Sequence, residues 1–227
     1  MSTHFDLAQL SVRELNKDLQ RRNVAAHTPI TVTNPMGKHA LAVGLTAAHD
    51  ITIDGHVGYY CAGMNMAAKV TINGSAGTGL AENMMSGEVR VRGNASQAAG
   101  ATGHGGLLVV EGDANARCAI GLKGLDIVVG GNVGHMSAFM AQAGRLVVCG
   151  DAGAYLGDSI YEAELFVRGN VASLGADCVE KDMDNAVIDA LAALLESASI
   201  NADAQSFKRY GSARTLYNFT IDNAGSY

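Results

Sequence analysis

The residues of this chain best suited to chemistry are its four cysteines and seven histidines. Thiolates and imidazoles are common zinc ligands, and they also supply the nucleophile and base of many transfer enzymes. Either use requires several of these residues to meet at one place. The chain has no Cys-x-x-Cys pair, no Gly-x-Ser-x-Gly elbow and no Gly-Lys-Ser/Thr loop. No local motif brings these residues together. Whether any cysteines and histidines meet therefore depends on the strands and helices that position them.

A glycine recurs every 19 residues through the middle of the chain, seven times without a slip. Self-similarity at one fixed period is the signature of a repeat architecture. We call these residues the corner glycines and count positions in each repeat from them. They are Gly55, Gly74, Gly93, Gly112, Gly131, Gly150 and Gly169.

The residues four and two positions before each corner glycine are aliphatic in all seven repeats. A separation of two directs side chains to one face of a strand, so each repeat is expected to open with a short strand. Small apolar residues at positions +2 and +7 suit a narrow interior. The pattern predicts an all-β fold, a single-stranded right-handed parallel β-helix of about seven 19-residue coils with short helices at both ends. Val91, Val110 and Val129 should then stack in one interior column.

Stacking at about 4.8 Å per coil separates the reactive residues. Cys61 and Cys118 share a phase but lie three coils apart, roughly 14 Å, which excludes a disulfide or a shared metal between them. No two histidines within the repeats share a phase. The glycine cluster at 100–106 precedes a strand-like LLVV rather than a helix, so it is a poor phosphate site. We therefore predict no catalytic residue, no cofactor site and no metal site in this chain.

Both ends of the repeat region have helical signals. Ser11 and Glu14 have capping-box spacing, which predicts a helix over 11–21, and an apolar face predicts a second helix over 183–197. Counting 19 residues back from Ile51 reaches Val32, which predicts a degenerate first coil. The expected organisation is an N-terminal helical cap over 1–30, a β-helix over 31–178, and a C-terminal helix and tail over 179–227.

The outward side of the predicted strands changes from polar to apolar along the stack of coils, which forms a rod. Position −3 is polar in the first repeats and then apolar in four consecutive ones. Such a stripe would be an exposed apolar patch unless something covers it. We expect either the 183–197 helix or another subunit to do so, and Arg92 is expected to pair with Glu111 on the next coil. The outer apolar stripe is Val109, Val128, Val147 and Phe166.

Composition excludes several classes of partner. The net charge is −6, whereas nucleic-acid binding needs clustered cations. No stretch reaches the length of an apolar membrane span, and the start shows no basic and apolar leader, so we expect a cytoplasmic protein. Only 17% of residues are charged, which suggests that part of the surface does not face water. The aromatic and basic segment 207–219 is expected to fold back on the rod or to dock on a partner.

The repeat also carries a family resemblance. The stretch from Gly150 to Gly157, GDAGAYLG, resembles the G-xx-G-xxx-G repeat of the C-terminal β-helix (GXGXG) domain of the glutamate synthase large subunit. The phrases HVGYYCAGMN from His56, AENMMSG from Ala81, GHMSAFM from Gly134 and GDSIYEA from Gly157 are similar to the stand-alone version of that domain. That version is the small subunit of N-methylglutamate synthase and related complexes. The resemblance covers about 30–227.

The resemblance implies a structural subunit of a hetero-oligomeric transferase that makes N-methylglutamate and ammonia from glutamate and methylamine. One implied partner is a class II amidotransferase-like subunit, and the other is an FMN-binding glutamate-synthase-like subunit that also carries an iron–sulfur cluster. This chain would hold the two at a fixed distance and wall a path for the amine. The family's catalytic and cluster cysteines have no counterparts here, which places that chemistry in the partners.

Two alternatives remain open at this level. A similar β-helix forms one of the subunits of formylmethanofuran dehydrogenase, so another complex is one alternative. The other is a module with its own ligand site on a face of the rod. Its lining would be Tyr59, Tyr60, Cys61, Met64 and His135.

Overall fold

The computed structural model describes residues 3–21 and 29–214. Its strands are β1 (Thr3–Asp6), β2 (Pro29–Thr33), β3 (Asp50–Asp54), β4 (Lys69–Ile72), β5 (Glu88–Val91), β6 (Leu107–Val110), β7 (Lys123–Val129), β8 (Ala143–Val148), β9 (Glu164–Val167), β10 (Cys178–Lys181) and β11 (Lys208–Ser212). The helices are α1 (Val12–Arg21), α2 (Asn185–Ser197) and a 3-10 turn at Ala204–Ser206. The described residues form one sheet in the order β1 to β9, then β11, then β10.

The repeat builds the predicted parallel β-helix. From β3 to β9 every pairing is parallel and joins residues 19 apart, as in Val91 with Val110 and Val110 with Val129. The exception is Lys123 with Ala143, which are 20 apart, at a register shift where β7 and β8 begin. The side chains at positions −4 and −2 are fully buried in every coil, because they fill the interior of the rod. A second line of parallel bridges joins position +2 of neighbouring coils, from Val57 through Ala76 to Val171. The expected column of Val91, Val110 and Val129 is confirmed.

The corner glycines are required because neighbouring coils approach each other too closely there for a side chain. A Cβ at Gly131 would lie 2.2 Å from Asp113 Oδ1 and 3.0 Å from the Gly112 backbone. Asp113 Oδ1 is held there because it accepts the backbone N–H of Asn132 at 2.7 Å. The same bond recurs in neighbouring coils, so position +1 forms a polar ladder beside the glycine column. The ladder residues are His56, Ser75, Asn94, Asp113, Asn132, Asp151 and Asn170.

The N-terminal end of the rod is closed by α1, whose predicted capping box is present. Glu14 Oε2 accepts from the Ser11 backbone N–H at 2.9 Å, and Ser11 Oγ accepts from the Glu14 N–H at 3.2 Å. Two side chains of α1 satisfy carbonyls on the edge of the first coil: Asn16 Nδ2 donates to Ala40 O at 2.7 Å, and Gln20 Nε2 donates to Val43 O at 2.8 Å.

The register of the first coil differs from the sequence-based alignment. Ile51 pairs with Ile30 rather than Val32, and Ile53 pairs with Val32, so this coil contains 21 residues. The alignment of Val32 with Ile51 was wrong because the two extra residues lie in the turns, where no strand pattern records them. The region expected to be only a helical cap also supplies a strand, since β1 pairs with β2 in parallel.

The C-terminal segment reverses the direction of the sheet. β11 lies between β9 and β10 and is antiparallel to both. This part of the predicted 207–219 tail folds back on the rod, while the part beyond residue 214 lies outside the described residues. The sheet therefore ends in an antiparallel β11–β10 pair rather than in another parallel coil.

Candidate interaction surface

The outer apolar stripe is covered by the protein's own helix. Val109, Val128 and Val147 are fully buried, and Phe166 is nearly so, in a second core with Leu191, Leu194 and Leu195 of α2. Of the two expected covers, the structure shows the helix. α2 begins after Asp184, whose Oδ1 accepts the Val187 N–H at 2.9 Å. The four residues of the stripe therefore offer no surface to a partner.

The change from polar to apolar at position −3 coincides with the end of α2. Arg90, the last polar residue of that column, donates from Nη2 to Ala198 O at 2.9 Å, at the C-terminal end of the helix. A guanidinium suits this place because helix C-termini carry free carbonyls and partial negative charge. Thirteen helical residues span about 20 Å, which matches four coils at about 4.8 Å each.

The predicted pair of Arg92 with Glu111 is present at 2.7 Å.

A second wall of the rod has a different backbone and remains uncovered by any described element. We call it the turn wall and define it as positions +4 to +11 of each coil. Positions +5, +7 and +9 have φ between 52° and 72° in six successive coils, from Gly55 to Gly150. Most of these residues are not glycine, although left-handed backbone normally disfavours other residues.

Hydrogen bonds between coils stabilise this backbone. Met64 donates its N–H to Glu82 O in the next coil at 2.8 Å, whereas Ala81 donates to Cys61 O in the preceding coil at 2.9 Å. The amides at positions +5, +7, +9 and +11 thus donate alternately to the next coil and to the preceding coil. Each coil is bonded to both neighbours, so the wall is a preformed surface rather than a set of independent loops.

The exposed large apolar side chains concentrate on the turn wall. Of the eight such side chains among the described residues, six lie at its outward positions, each 43–60% exposed. Exposed methionine and tyrosine are typical of protein-binding surfaces, because methionine adapts its shape and tyrosine adds area with little flexibility. The six are Tyr59, Met64, Met66, Met85, Met140 and Tyr155.

The tyrosines of the Gly55 coil are held in place. Tyr59 stacks on the His39 ring with centroids 4.5 Å apart, and its N–H donates to His39 Nδ1 at 2.9 Å. The Tyr60 ring lies over Gly63, where a Cβ would come within 2.6 Å of it. The glycine in Tyr60-Cys61-Ala62-Gly63 is thus explained by the ring that covers it.

The five residues proposed from the sequence as a ligand lining do not all meet. Tyr59, Tyr60 and Met64 share the outer side of the Gly55 coil. Cys61 is fully buried, because position +6 faces the interior. His135 is exposed in the same column as Tyr59 but four coils away, about 19 Å. Sequence reasoning missed Met66, Met85, Met140 and Tyr155, although reading columns +5, +9 and +11 along the repeat would have found them.

The four cysteines are free and buried. Burial raises the pKa of Cys61 to about 12 and that of Cys118 to about 12 as well. Burial also raises the pKa of Cys178 to about 11, which the positive charge of Lys181 partly opposes. Thiols held protonated in this way are poor nucleophiles and poor metal ligands.

Nothing else in the described part of the chain groups reactive residues. Within 3–21 and 29–214 no three histidine, cysteine or acidic residues are placed to hold a metal ion. A shallow hollow near β10 and β11 contains several charges, but Arg209 is paired with Glu164 and Arg214 with Asp177. No helix in the described ranges has the length and apolar character to cross a membrane.

The chain is similar over nearly its whole length to a curated protein. It is 58% identical over 225 residues to Protein GlxC of Rhizobium meliloti (strain 1021), and the match covers 98% of this chain and 99% of that protein. No family model matches the chain. No solved structure matches it.

Proposed function

The chain belongs to the GlxC family, and from that premise we propose that it is a non-catalytic structural subunit of a glutamate-synthase-like complex. The observation that carries the proposal is the turn wall, a preformed surface with six exposed methionine and tyrosine side chains. A monomer rarely leaves such residues together in water, whereas a subunit buries them in the assembly.

The specific complex that we propose for this subunit is N-methylglutamate synthase. The resemblance of GDAGAYLG and HVGYYCAGMN to the stand-alone glutamate synthase β-helix favours N-methylglutamate synthase. Its reaction joins glutamate and methylamine to give N-methylglutamate and ammonia. In this proposal the rod holds a class II amidotransferase-like subunit and an FMN-binding synthase-like subunit at a fixed distance in the cytoplasm. FMN and the iron–sulfur cluster belong to the second partner.

The rod is suited to this role by its stiffness. Each coil is bonded to its neighbours through the sheet, the ladder and the turn wall, so partners bound at different coils of the turn wall keep a fixed distance from each other. The rod, whose thiols are not ionised, would also be a fitting border for an amine path, because an uncharged amine is best kept from bulk water. We include this path in the proposal.

Purification of a tagged chain from its native host tests the proposal. The expected result is co-purification of an amidotransferase-like and an FMN-containing polypeptide in fixed ratio, with methylamine-dependent turnover by the assembly. The same chain expressed alone should be colourless and inactive with glutamate and methylamine. Flavin bound to the isolated chain, or turnover by it, would contradict a structural role and favour a module with its own site.

A further inference from the structure

We infer that the turn wall binds one amphipathic, acidic α-helix of a partner subunit, which lies across the rod in a trough between two apolar ridges. This inference rests on the proposed function and specifies the surface and the kind of segment that it would use. The trough is defined by position +9 of the coils from Gly55 to Gly131. Its residues are Met64, Asn83, Thr102, Gly121 and Met140.

The two ridges are set by the order of large and small side chains along the rod. Met64, Met66 and Met85 are exposed in the first two coils, and Met140 and Tyr155 are exposed in the fifth and sixth. Between them, Thr102 and Gly121 are small at position +9. Met64 and Met140 are four coils apart, about 19 Å, whereas Met85 and Met140 are three coils apart, about 14 Å. An α-helix with its side chains is about 10–12 Å wide, so it fits between the ridges with its flanks against their methionines.

The trough carries free positive charge. Arg117 and Lys123 lie in the Gly112 coil on either side of Gly121, and both are exposed. Neither forms an ion pair with another residue in the described ranges. Glu82 is the one acidic residue of the turn wall in the coils from Gly55 to Gly131, and it lies in the Gly74 coil, two coils away from these cations. The middle of the trough is therefore cationic in a protein whose net charge is −6.

This pattern favours an acidic helix over a second copy of the chain. Arg117 and Lys123 are six positions apart in the chain, so their Cα atoms are at most about 20 Å apart. A helix across the coil would meet both with acidic residues at most about four turns apart, while its apolar positions contact the ridges. Neither described helix of a second copy fits this description. The exposed outer side of α1 carries Arg13, Lys17 and Arg21, and the apolar face of α2 is already buried against the outer apolar stripe.

The test uses the subunits that co-purify with the wild-type chain. Binding of those purified subunits to the isolated chain is measured for wild type, for R117E/K123E and for M64S/M140S. Two matched controls lie outside the wall: R13E/K17E changes the net charge equally, and M36S removes a methionine that is 80% exposed at the N-terminal end. Thermal unfolding of each variant verifies that the rod is intact.

We expect both turn-wall variants to bind the partner at least about tenfold more weakly than wild type. The affinity of R117E/K123E should also lose most of its dependence on salt concentration. Both controls should bind like wild type. If wild type assembles and the turn-wall variants bind equally well, this inference is overturned and the proposed function stands. If the wild-type chain binds no other subunit, both are overturned. Self-association of the isolated chain that M64S/M140S abolishes would show that the occupant is a second copy and would also overturn it.

Discussion

The strands β3 to β9 form one wall of the rod, which we call the sheet wall, and the turn wall is another. Both carry apolar side chains on their outer sides, but in the part of the chain that the structure describes only those of the sheet wall are covered by the chain itself. Both bury small or aliphatic side chains inward, and both stack one residue of each coil above the next. On the sheet wall the outward apolar stripe is covered by α2, which comes from the same chain. On the turn wall the outward methionines and tyrosines have no cover among the described residues.

The two walls therefore contribute differently to the stability of the chain. Apolar area on the sheet wall contributes to folding, because α2 and the strands exclude water from each other. Apolar area on the turn wall adds little to the stability of the free chain and is available to a partner. Substitutions on the two walls should therefore affect different measurements.

The largest expected effect comes from a charge beneath α2. Val128→Asp places a carboxylate in a fully buried position between the sheet and the helix, so we expect a loss of about 4 kcal/mol or more in the free energy of unfolding. Denaturant titration with far-UV circular dichroism measures it.

The matched substitution on the other wall is Met64→Asp, where the side chain is already 44% exposed. It should change the unfolding free energy of the isolated chain by no more than about 0.5 kcal/mol. Similar losses for the two variants would remove the distinction between the walls.

Alkaline pH should lower the stability of the protein, because two thiols on the inner side of the turn wall are buried away from water. The pKa of Cys61 and of Cys118 is raised to about 12 by burial, so the folded state holds these protons more tightly than the unfolded state does. Their contribution to stability is complete below the unfolded pKa near 9 and is lost as the pH rises toward 12. Between pH 9 and 10 the two thiols together should reduce stability by about 2 kcal/mol.

Cys61→Ala combined with Cys118→Ala is the control for the alkaline loss, and it should make the decline with pH shallower. Both thiols should also resist a thiol reagent at about pH 8 until the protein is unfolded. Rapid labelling of Cys61 in the folded chain would show that water reaches the inner side of the wall.

The glycine column is predicted to be coupled to the polar ladder. Gly131→Ala brings a Cβ against Asp113 Oδ1 and the Gly112 backbone, which should cost about 2 kcal/mol in stability. Asp113→Ala removes the acceptor for the Asn132 N–H and should cost about 1 kcal/mol. The double variant should lose less than the sum, because the nearest clash disappears with the carboxylate. Strict additivity in a double-mutant cycle would argue against this coupling.

The smallest effect tests the left-handed backbone itself. Ala114 and Ala119 are buried in the same coil, but Ala114 is in a parallel bridge and Ala119 has φ of 62°. Either change to glycine loses one methyl group, whereas only Ala119→Gly relieves left-handed strain. We expect Ala119→Gly to be about 1 kcal/mol less destabilising than Ala114→Gly in thermal unfolding. Equal losses would mean that this strain is relieved in another way.

The repeat made the sheet wall predictable from sequence, because its positions −4 and −2 are aliphatic without exception. The same columns led to the covered stripe and the Arg92–Glu111 pair, whereas the two helices were predicted from a capping box and an apolar helical face. The 21-residue first coil was missed because its extra residues lie in turns. β10 and β11 were missed because antiparallel closure of the stack leaves no periodic pattern in four or five residues.

The turn wall was less predictable for a physical reason. Left-handed backbone is usually inferred from glycine, yet here it occurs at Tyr60, Met64 and Arg117, where bonds to the neighbouring coils hold it. Without that backbone, the inward side chain of Cys61 could not be distinguished from the outward ones of its neighbours. Met140 and Tyr155 could be found by reading columns +9 and +5 along the repeat, but the left-handed backbone decides that these columns point outward.

The most direct test of the account is hydrogen–deuterium exchange of the chain free and in its native complex. We expect the complex to slow exchange along the turn wall, in the segments 59–66, 78–85, 97–104, 116–123 and 135–142, while the ladder at position +1 is unchanged. Slower exchange confined to the ladder or to α2, with the turn wall unaltered, would contradict it.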